Sequence, residues 1–338
     1  MKTTKLFVIL AIFVAFVSER APSAVTSRQV FRSGVDGVTI VASVRTGNRP
    51  VGGLTADDFV LTDNGVPQAI TTISAGQVPL DLTLLLDLSS SVDGPLLQRL
   101  KTAVSDTAAL LRDDDRIRLV TISQVLHEVF SLRPRAAAMP LDTLKAEGAT
   151  SLYDGIAATM MRPSPPERRQ LIVAFSDGQD STSIIDEKTA REIARLTDAV
   201  VDIVVPIAGA RGEAVSRRLS QRNGSVDSLL GGDNVTAGNN GPQGRSEDPG
   251  IPRVLAELVG PTSGQVFPLG TDESVSRVFK ATLDDFRASY VLQYVPQGVA
   301  AEGWHEVSVA VKKHPKYDIR ARKGYEGRSK ITLPEVIR

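Results

Sequence analysis

The sequence predicts an α/β fold: a mainly parallel, Rossmann-like sheet flanked by helices, together with a smaller β unit. Three observations carry this prediction. Apolar strand segments alternate with helical segments between residues 78 and 286. Short β-branched and aromatic runs stand before them, in residues 25–77, and after them, in residues 287–338. The chain has 338 residues, which is enough for more than one domain with a sizeable core.

The first 24 residues have the pattern of a secretory signal peptide. Lys2 and Lys5 precede an unbroken run of twelve apolar residues, 6–17, and small residues around Ala24 provide a cleavage point. Because a transmembrane helix needs about 20 apolar residues, this run is short for a membrane span. We expect export to the periplasm, the cell envelope or the medium, and no membrane span in the mature chain. An uncleaved anchor is the alternative.

The composition excludes several kinds of site. The chain has no cysteine, which excludes disulfides, thiol catalysis and cysteine-ligated zinc. Its three histidines, His127, His305 and His314, argue against an all-histidine metal site. Lys+Arg and Asp+Glu number 39 each, so the charge balance gives no case for nucleic acid. An exported protein without disulfides is more typical of bacteria than of the animal extracellular space.

Residues 25–77 have the pattern of short strands. Val38–Val44 is rich in β-branched residues, and Phe59–Leu61 predicts a second strand. Asp63-Asn64-Gly65 is typical of a hairpin turn leading to a strand over Gln68–Ile73. Because each terminal β segment is too small to bury a good core alone, we expect the two to pair as one discontinuous domain. The C-terminal strands are expected at Ser289–Tyr294, His305–Val311 and Tyr317–Arg322.

Residues 78–286 predict the α/β domain. Leu80–Leu86 is a largely apolar run, as expected of a buried central strand. Residues 116–123 and 125–132 follow each other closely and predict an antiparallel hairpin at the sheet edge. Residues 209–250, rich in Gly, Asn, Ser and Arg, predict a flexible insertion, with a partner-binding loop as the alternative. The other strands are expected at Arg169–Phe175, Val200–Ile207 and Gly264–Pro268, and the helices at Pro95–Leu111, Ser151–Met161, Glu187–Leu196, Ile251–Leu258 and Ser274–Phe286.

Three short segments carry oxygen side chains close to expected strand ends or helix starts. Each has a structural explanation by itself, because Ser and Asp also cap helices and occupy turns; Asp93-Gly94-Pro95, for example, has the pattern of a helix start. Together they predict a divalent-cation site, since the carboxyl ends of parallel strands meet at one edge and oxygen ligands suit Mg²⁺, Mn²⁺ or Ca²⁺. The segments are Asp87-Leu88-Ser89-Ser90-Ser91, Gly148-Ala149-Thr150-Ser151-Leu152 and Phe175-Ser176-Asp177-Gly178.

The three segments resemble the metal-ion-dependent adhesion site of von Willebrand factor type A domains, which reads Asp-x-Ser-x-Ser, then Thr, then Asp. Further stretches extend the resemblance to a bacterial von Willebrand factor A-related family abundant in acidobacteria. These stretches are Phe31-Arg32-Ser33-Gly34-Val35, Gly53-Leu54-Thr55-Ala56-Asp57-Asp58-Phe59, Asp63-Asn64-Gly65-Val66-Pro67-Gln68, Tyr290-Val291-Leu292-Gln293-Tyr294 and Ala321-Arg322-Lys323-Gly324-Tyr325.

The resemblance implies a role for each of five residues. Ser89 and Ser91 match hydroxyls that coordinate the cation directly, and Asp87 and Asp177 match carboxylates that act through bound water. Thr150 matches the threonine that coordinates in the ligand-bound state. The cation, Mg²⁺ or else Mn²⁺ or Ca²⁺, then accepts an Asp or Glu carboxylate from a partner protein at an open position. The resemblance thus implies an adhesion or binding protein and not an enzyme.

Other interpretations of the same residues stay open. A structural envelope protein with a non-functional metal site has the same sequence pattern. A serine hydrolase with Ser89 or Ser91 as nucleophile is disfavoured because no Gly-x-Ser-x-Gly elbow occurs. A nucleotide-binding enzyme is disfavoured because the sequence has neither the Gly-x-Gly-x-x-Gly pattern nor the P-loop pattern. Asp180, Asp186 and Glu187 are interpreted as a solvated loop and a helix start, with a negatively charged rim of the site as the alternative.

Overall fold

Strands and helices alternate through the middle of the chain, and strands alone stand at its two ends. The computed structural model describes residues 37–206, 252–270 and 273–327, apart from residues 48, 93, 163, 164, 166 and 313–315. The predicted signal peptide and the predicted insertion at 209–250 lie outside the described residues. No helix among the described residues is long and apolar enough to cross a membrane.

The described strands, numbered in chain order, include short terminal pieces and the longer strands of the central sheet. They are β1 (Val38–Thr46), β2 (Arg49–Pro50), β3 (Phe59–Asp63), β4 (Val66–Gln68), β5 (Ile70–Ala75), β6 (Leu80–Asp87), β7 (Arg116–Ile122), β8 (Leu126–Pro134), β9 (Arg169–Phe175), β10 (Val200–Pro206), β11 (Val266–Leu269), β12 (Tyr290–Tyr294), β13 (Gly303–Val311), β14 (Asp318–Ala321) and β15 (Gly324–Gly327). The α-helices are α1 (Pro95–Ala109), α2 (Leu152–Met160), α3 (Glu187–Leu196), α4 (Arg253–Val259) and α5 (Val275–Ala288).

The central sheet has β6 in its middle. Its strand order is β11-β10-β9-β6-β7-β8, and β6 runs parallel to both β7 and β9. β8 pairs antiparallel with β7 at the edge, as the close spacing of the two segments predicts. Every residue of β6 is buried, which explains why five of its eight residues are leucine. Asp81, which interrupts the apolar run, forms ion pairs with Arg116 and Arg168. The predicted α/β fold class is confirmed.

Helices cover both faces of this sheet, and alternate residues of β6 point to opposite layers. Leu84 and Leu86 pack in a core with residues of α1 and α5, such as Leu100 and Phe279. Leu85 packs in a second core with residues of α2, α3 and α4, such as Ile156. Because both faces are covered, the open edge at the carboxyl ends of the strands is where polar groups can gather.

The terminal β segments pair with each other, as expected from the small size of each. β1 lies between β12 and β14 in one antiparallel sheet, and β3 pairs with β13 in another. Side chains from both sheets share one core, which includes Ile40 of β1, Phe59 of β3, Leu292 of β12 and Val307 of β13. The hairpin turn also forms, with Asn64 and Gly65 at φ angles of 47° and 79°.

One strand prediction differs from the structure, and one strand of the structure was not predicted. The single strand expected over residues 68–73 is two strands, β4 and β5, separated at Ala69. β15 has no strand pattern because it begins and ends with glycine. Gly324 is needed there, since a Cβ atom at this position would lie 2.1 Å from the carbonyl oxygen of His305. Close pairing with β13 therefore makes a strand of residues with low β-propensity.

Candidate metal centre

The predicted site residues lie at the carboxyl edge of the central sheet. β6 and β9 are neighbours in parallel register, with Leu86 opposite Phe175. Asp87 is the last residue of β6, and Ser176 and Asp177 directly follow β9, so the register brings these residues to the same edge. Thr150 lies in the loop that leads into α2.

The carboxylate of Asp87 joins the three segments. It is 1% exposed. Its Oδ1 accepts from the backbone N–H of Ser89 at 3.0 Å and from Thr150 Oγ1 at 3.3 Å. Its Oδ2 accepts from Ser176 Oγ at 2.9 Å. One buried carboxylate therefore contacts all three segments that the sequence singles out.

The serine hydroxyls of the first segment lie together. Ser89 Oγ and Ser91 Oγ are 2.9 Å apart, with Ser89 buried and Ser91 exposed. The loop that carries them is tied to the Thr150 segment, because the backbone N–H and Oγ of Ser90 both donate to the carbonyl of Gly148 at 3.1 Å. The φ angle of Gly148 is 79°, a left-handed conformation that favours glycine at this contact.

Asp177 is half-buried at the same edge. Its Oδ1 accepts from the backbone N–H of Gln179 at 3.0 Å, which turns the chain away from the sheet. Burial raises the pKa of Asp87 above its ordinary value, and the negative charge of nearby Asp177 acts in the same direction. Hydrogen bonds from Ser89 and Ser176 oppose this rise in the pKa.

The donor set fits a hard divalent cation. It consists of the carboxylates of Asp87 and Asp177 and the hydroxyls of Ser89, Ser91 and Thr150, all oxygen donors. Among the described residues, no group of three or more His, Cys, Asp or Glu side chains is placed to hold a metal ion, so the candidate donor set depends on hydroxyls as well as carboxylates. A cation between two neighbouring carboxylates, one of them buried, would favour their charged forms.

A comparison with protein families identifies the domain. Residues 81–225 match the family model of the von Willebrand factor type A domain. This chain contains a von Willebrand factor type A domain. The matched range includes all five predicted ligand residues, and the predicted resemblance to type A domains is confirmed.

One curated relative of the chain is an uncharacterized protein, sll0103, of Synechocystis sp. (strain ATCC 27184 / PCC 6803 / Kazusa). The two are 30% identical over 110 residues, which cover 31% of this chain and 26% of the relative. The chain thus spans about a quarter of the length of the curated relative it matches.

Several solved structures are similar at low sequence identity. A von Willebrand factor type A protein from Catenulispora acidiphila has a TM-score of 0.44 and 14% identity, covering 80% of this chain and 63% of that one. The SpRpn10 type A domain has a TM-score of 0.39 and 15% identity, and the match covers 60% of this chain and 94% of that one. Proximal thread matrix protein 1 from the mussel byssus, with a zinc-occupied adhesion motif, has a TM-score of 0.43 and 13% identity. The match covers 66% of this chain and 49% of that one.

Helix capping does not explain the serines of the type A domain's first segment. Helix α1 begins at Pro95 with Gly94 at its N-cap, a residue that has no side chain with which to cap the helix. The neighbouring Asp93 lies outside the described residues. Ser89 and Ser91 instead contact each other, and the backbone of Ser89 contacts Asp87.

Sequence reasoning missed the contacts that two residues make beside the predicted ligands. Ser176, fully buried, donates to Asp87 and also accepts from the backbone N–H of Gly178 at 3.0 Å. Its signal was a serine directly after a buried strand. Asp180 lies in a loop and is half-buried, and its carboxylate also accepts from the backbone N–H of Leu152 at 2.7 Å, a contact that the sequence did not indicate. The helix start at Asp186 is confirmed, since Asp186 caps α3.

Proposed function

We propose that this chain is an exported, non-enzymatic binding or adhesion protein. In this proposal the type A domain binds a divalent cation, Mg²⁺ or else Mn²⁺ or Ca²⁺, and through it an acidic group of a partner protein. The ligands are Asp87, Ser89, Ser91, Thr150 and Asp177. The observation that carries the proposal is the buried Asp87 carboxylate, which contacts all three ligand segments.

The arrangement suits reversible capture of a carboxylate. Asp87 and Asp177 hold the negative charge at the base of the site, while Ser89, Ser91 and Thr150 are neutral donors. When bound, the cation supplies a positive charge with room for an external oxygen ligand. Asp87 is buried and accepts hydrogen bonds on both oxygens, so it holds the backbone of Ser89 and the hydroxyls of Thr150 and Ser176 in place.

Exposed aliphatic side chains beside the site support a protein as the partner. Ile184 is 93% exposed, although its backbone N–H donates to Asp154 next to the Thr150 segment. Val125 is 71% exposed, in the loop where the backbone N–H of Ser151 donates to the carbonyl of Ser123. These side chains offer apolar contact area near the point where a partner carboxylate would bind.

The surroundings of the serines support a binding protein over a serine hydrolase. Among the described residues, no hydrogen bond links Ser89 or Ser91 to a histidine. His305 lies in the β unit, with its Nδ1 2.8 Å from Asp63 Oδ1. A general base next to the nucleophile is the feature that a serine hydrolase requires. The apolar N-terminal run supports export.

Calorimetric titration of the purified, metal-stripped protein with Mn²⁺ and Mg²⁺ tests this function. We expect saturable binding by the wild-type chain, and loss of that binding in Asp87→Ala and in Ser89→Ala/Ser91→Ala, with the fold intact by circular dichroism. Ser105→Ala is the matched control, because Ser105 is an exposed serine of α1 outside the site. Cation binding retained in the site variants contradicts the ligand assignment. No binding by the wild type favours a structural envelope protein with a non-functional site.

A further inference from the structure

The Thr150 segment is hydrogen-bonded to the residues that follow Asp177, and residues 177–185 are here called the Asp177 segment. The backbone N–H groups of Ser181 and Thr182 donate to the carbonyl of Thr150 at 2.9 and 3.1 Å. The backbone N–H of Thr150 donates in return to Ser181 Oγ at 3.1 Å. Ser151 Oγ and Thr182 Oγ1 are 2.8 Å apart. Residues 31 positions apart in the sequence therefore lie side by side just beyond Asp177.

Two aspartates extend this contact in opposite directions. Asp180 Oδ1 accepts from the backbone N–H of Leu152 at 2.7 Å and of Tyr153 at 3.4 Å, at the first turn of α2. Asp154, inside α2, accepts in return from the backbone N–H groups of Ile184 and Ile185 at 2.9 and 3.1 Å. Each carboxylate thus binds the backbone of the other segment.

Helix α2 depends on this exchange for its first turn. The residue at its N-cap position, Ser151, makes no side-chain capping bond. The four N–H groups at the start of a helix need acceptors from outside the helix. Asp180 provides one from the segment that follows Asp177, and Ser183 Oγ accepts from the backbone N–H of Asp154 at 3.1 Å. The start of α2 therefore fixes the Thr150 segment relative to the Asp177 segment.

We propose that Asp180 and Asp154 are positioning residues that hold the Thr150 and Asp177 segments as one unit and so set the affinity for the cation. The inference rests on the proposed function. Thr150 Oγ1 lies 3.3 Å from Asp87 Oδ1, whereas the hydrogen bonds of Asp180 and Asp154 in the described part of the chain go to other residues. Ligands held in place before binding lose less conformational freedom when the cation binds. Loss of the aspartate contacts leaves the backbone of Thr150 held by its bonds to Ser181 and Thr182. We expect this to loosen Thr150 and to weaken cation binding without removing a ligand.

Replacement of Asp180 separates positioning from charge. Asp180→Ala removes the acceptor, and we expect Mn²⁺ affinity to fall by about 10-fold, in the range seen when partners behind metal ligands are removed. Asp180→Asn keeps an acceptor oxygen but loses the charge, and we expect affinity within about 3-fold of wild type. Asp186→Ala is the matched control, because Asp186 caps α3 through the backbone N–H of Thr189 at 2.8 Å and has no bond to the Thr150 segment.

Three results overturn the inference. The first is unchanged Mn²⁺ affinity in Asp180→Ala. The second is equal loss in Asp180→Ala and Asp180→Asn, which assigns the effect to charge. The third is equal loss in Asp186→Ala, which assigns it to general destabilisation. If Asp180→Ala does not fold, Asp154→Asn replaces it, because an asparagine retains one acceptor oxygen and can satisfy only one of the Ile184 and Ile185 N–H groups that Asp154 now binds.

Hydrogen exchange distinguishes failure of this inference from failure of the proposed function. In the metal-free protein, we expect Asp180→Ala to speed amide exchange in peptides covering both 148–154 and 179–185, whereas Asp186→Ala speeds neither. This result does not require cation binding. If exchange stays slow in both peptides of Asp180→Ala, the coupling of the two segments is contradicted. If the wild type does not bind Mn²⁺, the proposed metal site is contradicted and the coupling is not.

Discussion

Asp202 is a buried carboxylate of β10, and its replacement by asparagine should stabilise the chain at neutral and alkaline pH. The side chain is 2% exposed. Its Oδ1 accepts from the backbone N–H of Gln265 at 2.9 Å. Burial raises the pKa of Asp202 to about 7, and the charge of Asp285 acts in the same direction, while the Gln265 bond and Arg320 oppose the rise. Asparagine keeps the acceptor oxygen and removes the cost of burying a charge.

The size and sign of the effect follow from proton linkage. Between pH 4 and pH 7 the folded chain keeps the Asp202 proton while the unfolded chain releases it, so the free energy of unfolding falls as the pH rises. The difference between the ordinary pKa of 3.8 and a pKa of about 7 lowers the free energy of unfolding by about 4 kcal/mol at pH 7 and above. Below pH 4 both states hold the proton, and Asp202 has no such effect.

Urea unfolding of both proteins from pH 4 to pH 8 measures this effect. We expect Asp202→Asn to match the wild type near pH 4 and to exceed its free energy of unfolding by up to about 4 kcal/mol at pH 8. Asp57→Asn, at an exposed position, is the control and should follow the wild type. A variant that is less stable than wild type at pH 8, or more stable by the same amount at every pH, refutes the reasoning.

Two further predictions concern packing and the partner surface. Gly264→Ala should lower the free energy of unfolding by about 3 kcal/mol, because the new Cβ would lie 1.8 Å from the Val201 carbonyl oxygen. Gly260→Ala is the control: its Cβ would have open space around it, so thermal stability should stay near that of the wild type. Ile184→Ser should leave both Mn²⁺ affinity and stability unchanged, since the side chain is 93% exposed. Ile184→Ser should also weaken Mn²⁺-dependent binding to an array of peptides in which a glutamate neighbours an aliphatic residue. If peptide binding is undiminished, Ile184 is not part of the proposed partner surface.

Local pattern was sufficient for the central strand and for the segments of the site. A largely apolar run predicts β6 because a strand buried on both faces favours apolar side chains at most positions. The polar residues that directly follow β6 and β9 then lie at one edge, since parallel strands end on the same side of the sheet. Strand ends and residue type therefore indicated Asp87 and Asp177, whereas the roles of Ser89 and Thr150 came from the resemblance to the adhesion motif.

Local pattern was misleading where a polar residue finds its partner far along the chain. Asp63 has the pattern of an exposed turn residue, yet it is fully buried. Its Oδ2 accepts from the hydroxyls of Tyr294 and Tyr325 at 2.8 Å, and its Oδ1 lies 2.8 Å from His305 Nδ1. These partners come from C-terminal strands, 231 to 262 positions away, so the burial of Asp63 depends on strand pairing between the two ends of the chain.

By itself the sequence determined the fold class, the central strand and the residue types at its carboxyl edge, because hydrophobic periodicity and turn chemistry are local properties. The tertiary structure alone decided that Ser176 supports Asp87, that Asp180 caps α2 from another segment and that Asp202 is buried beside Gln265. Each of these contacts joins a side chain to a group that only folding brings near. A buried polar atom must find a partner, but its own neighbours in sequence do not specify which partner that is.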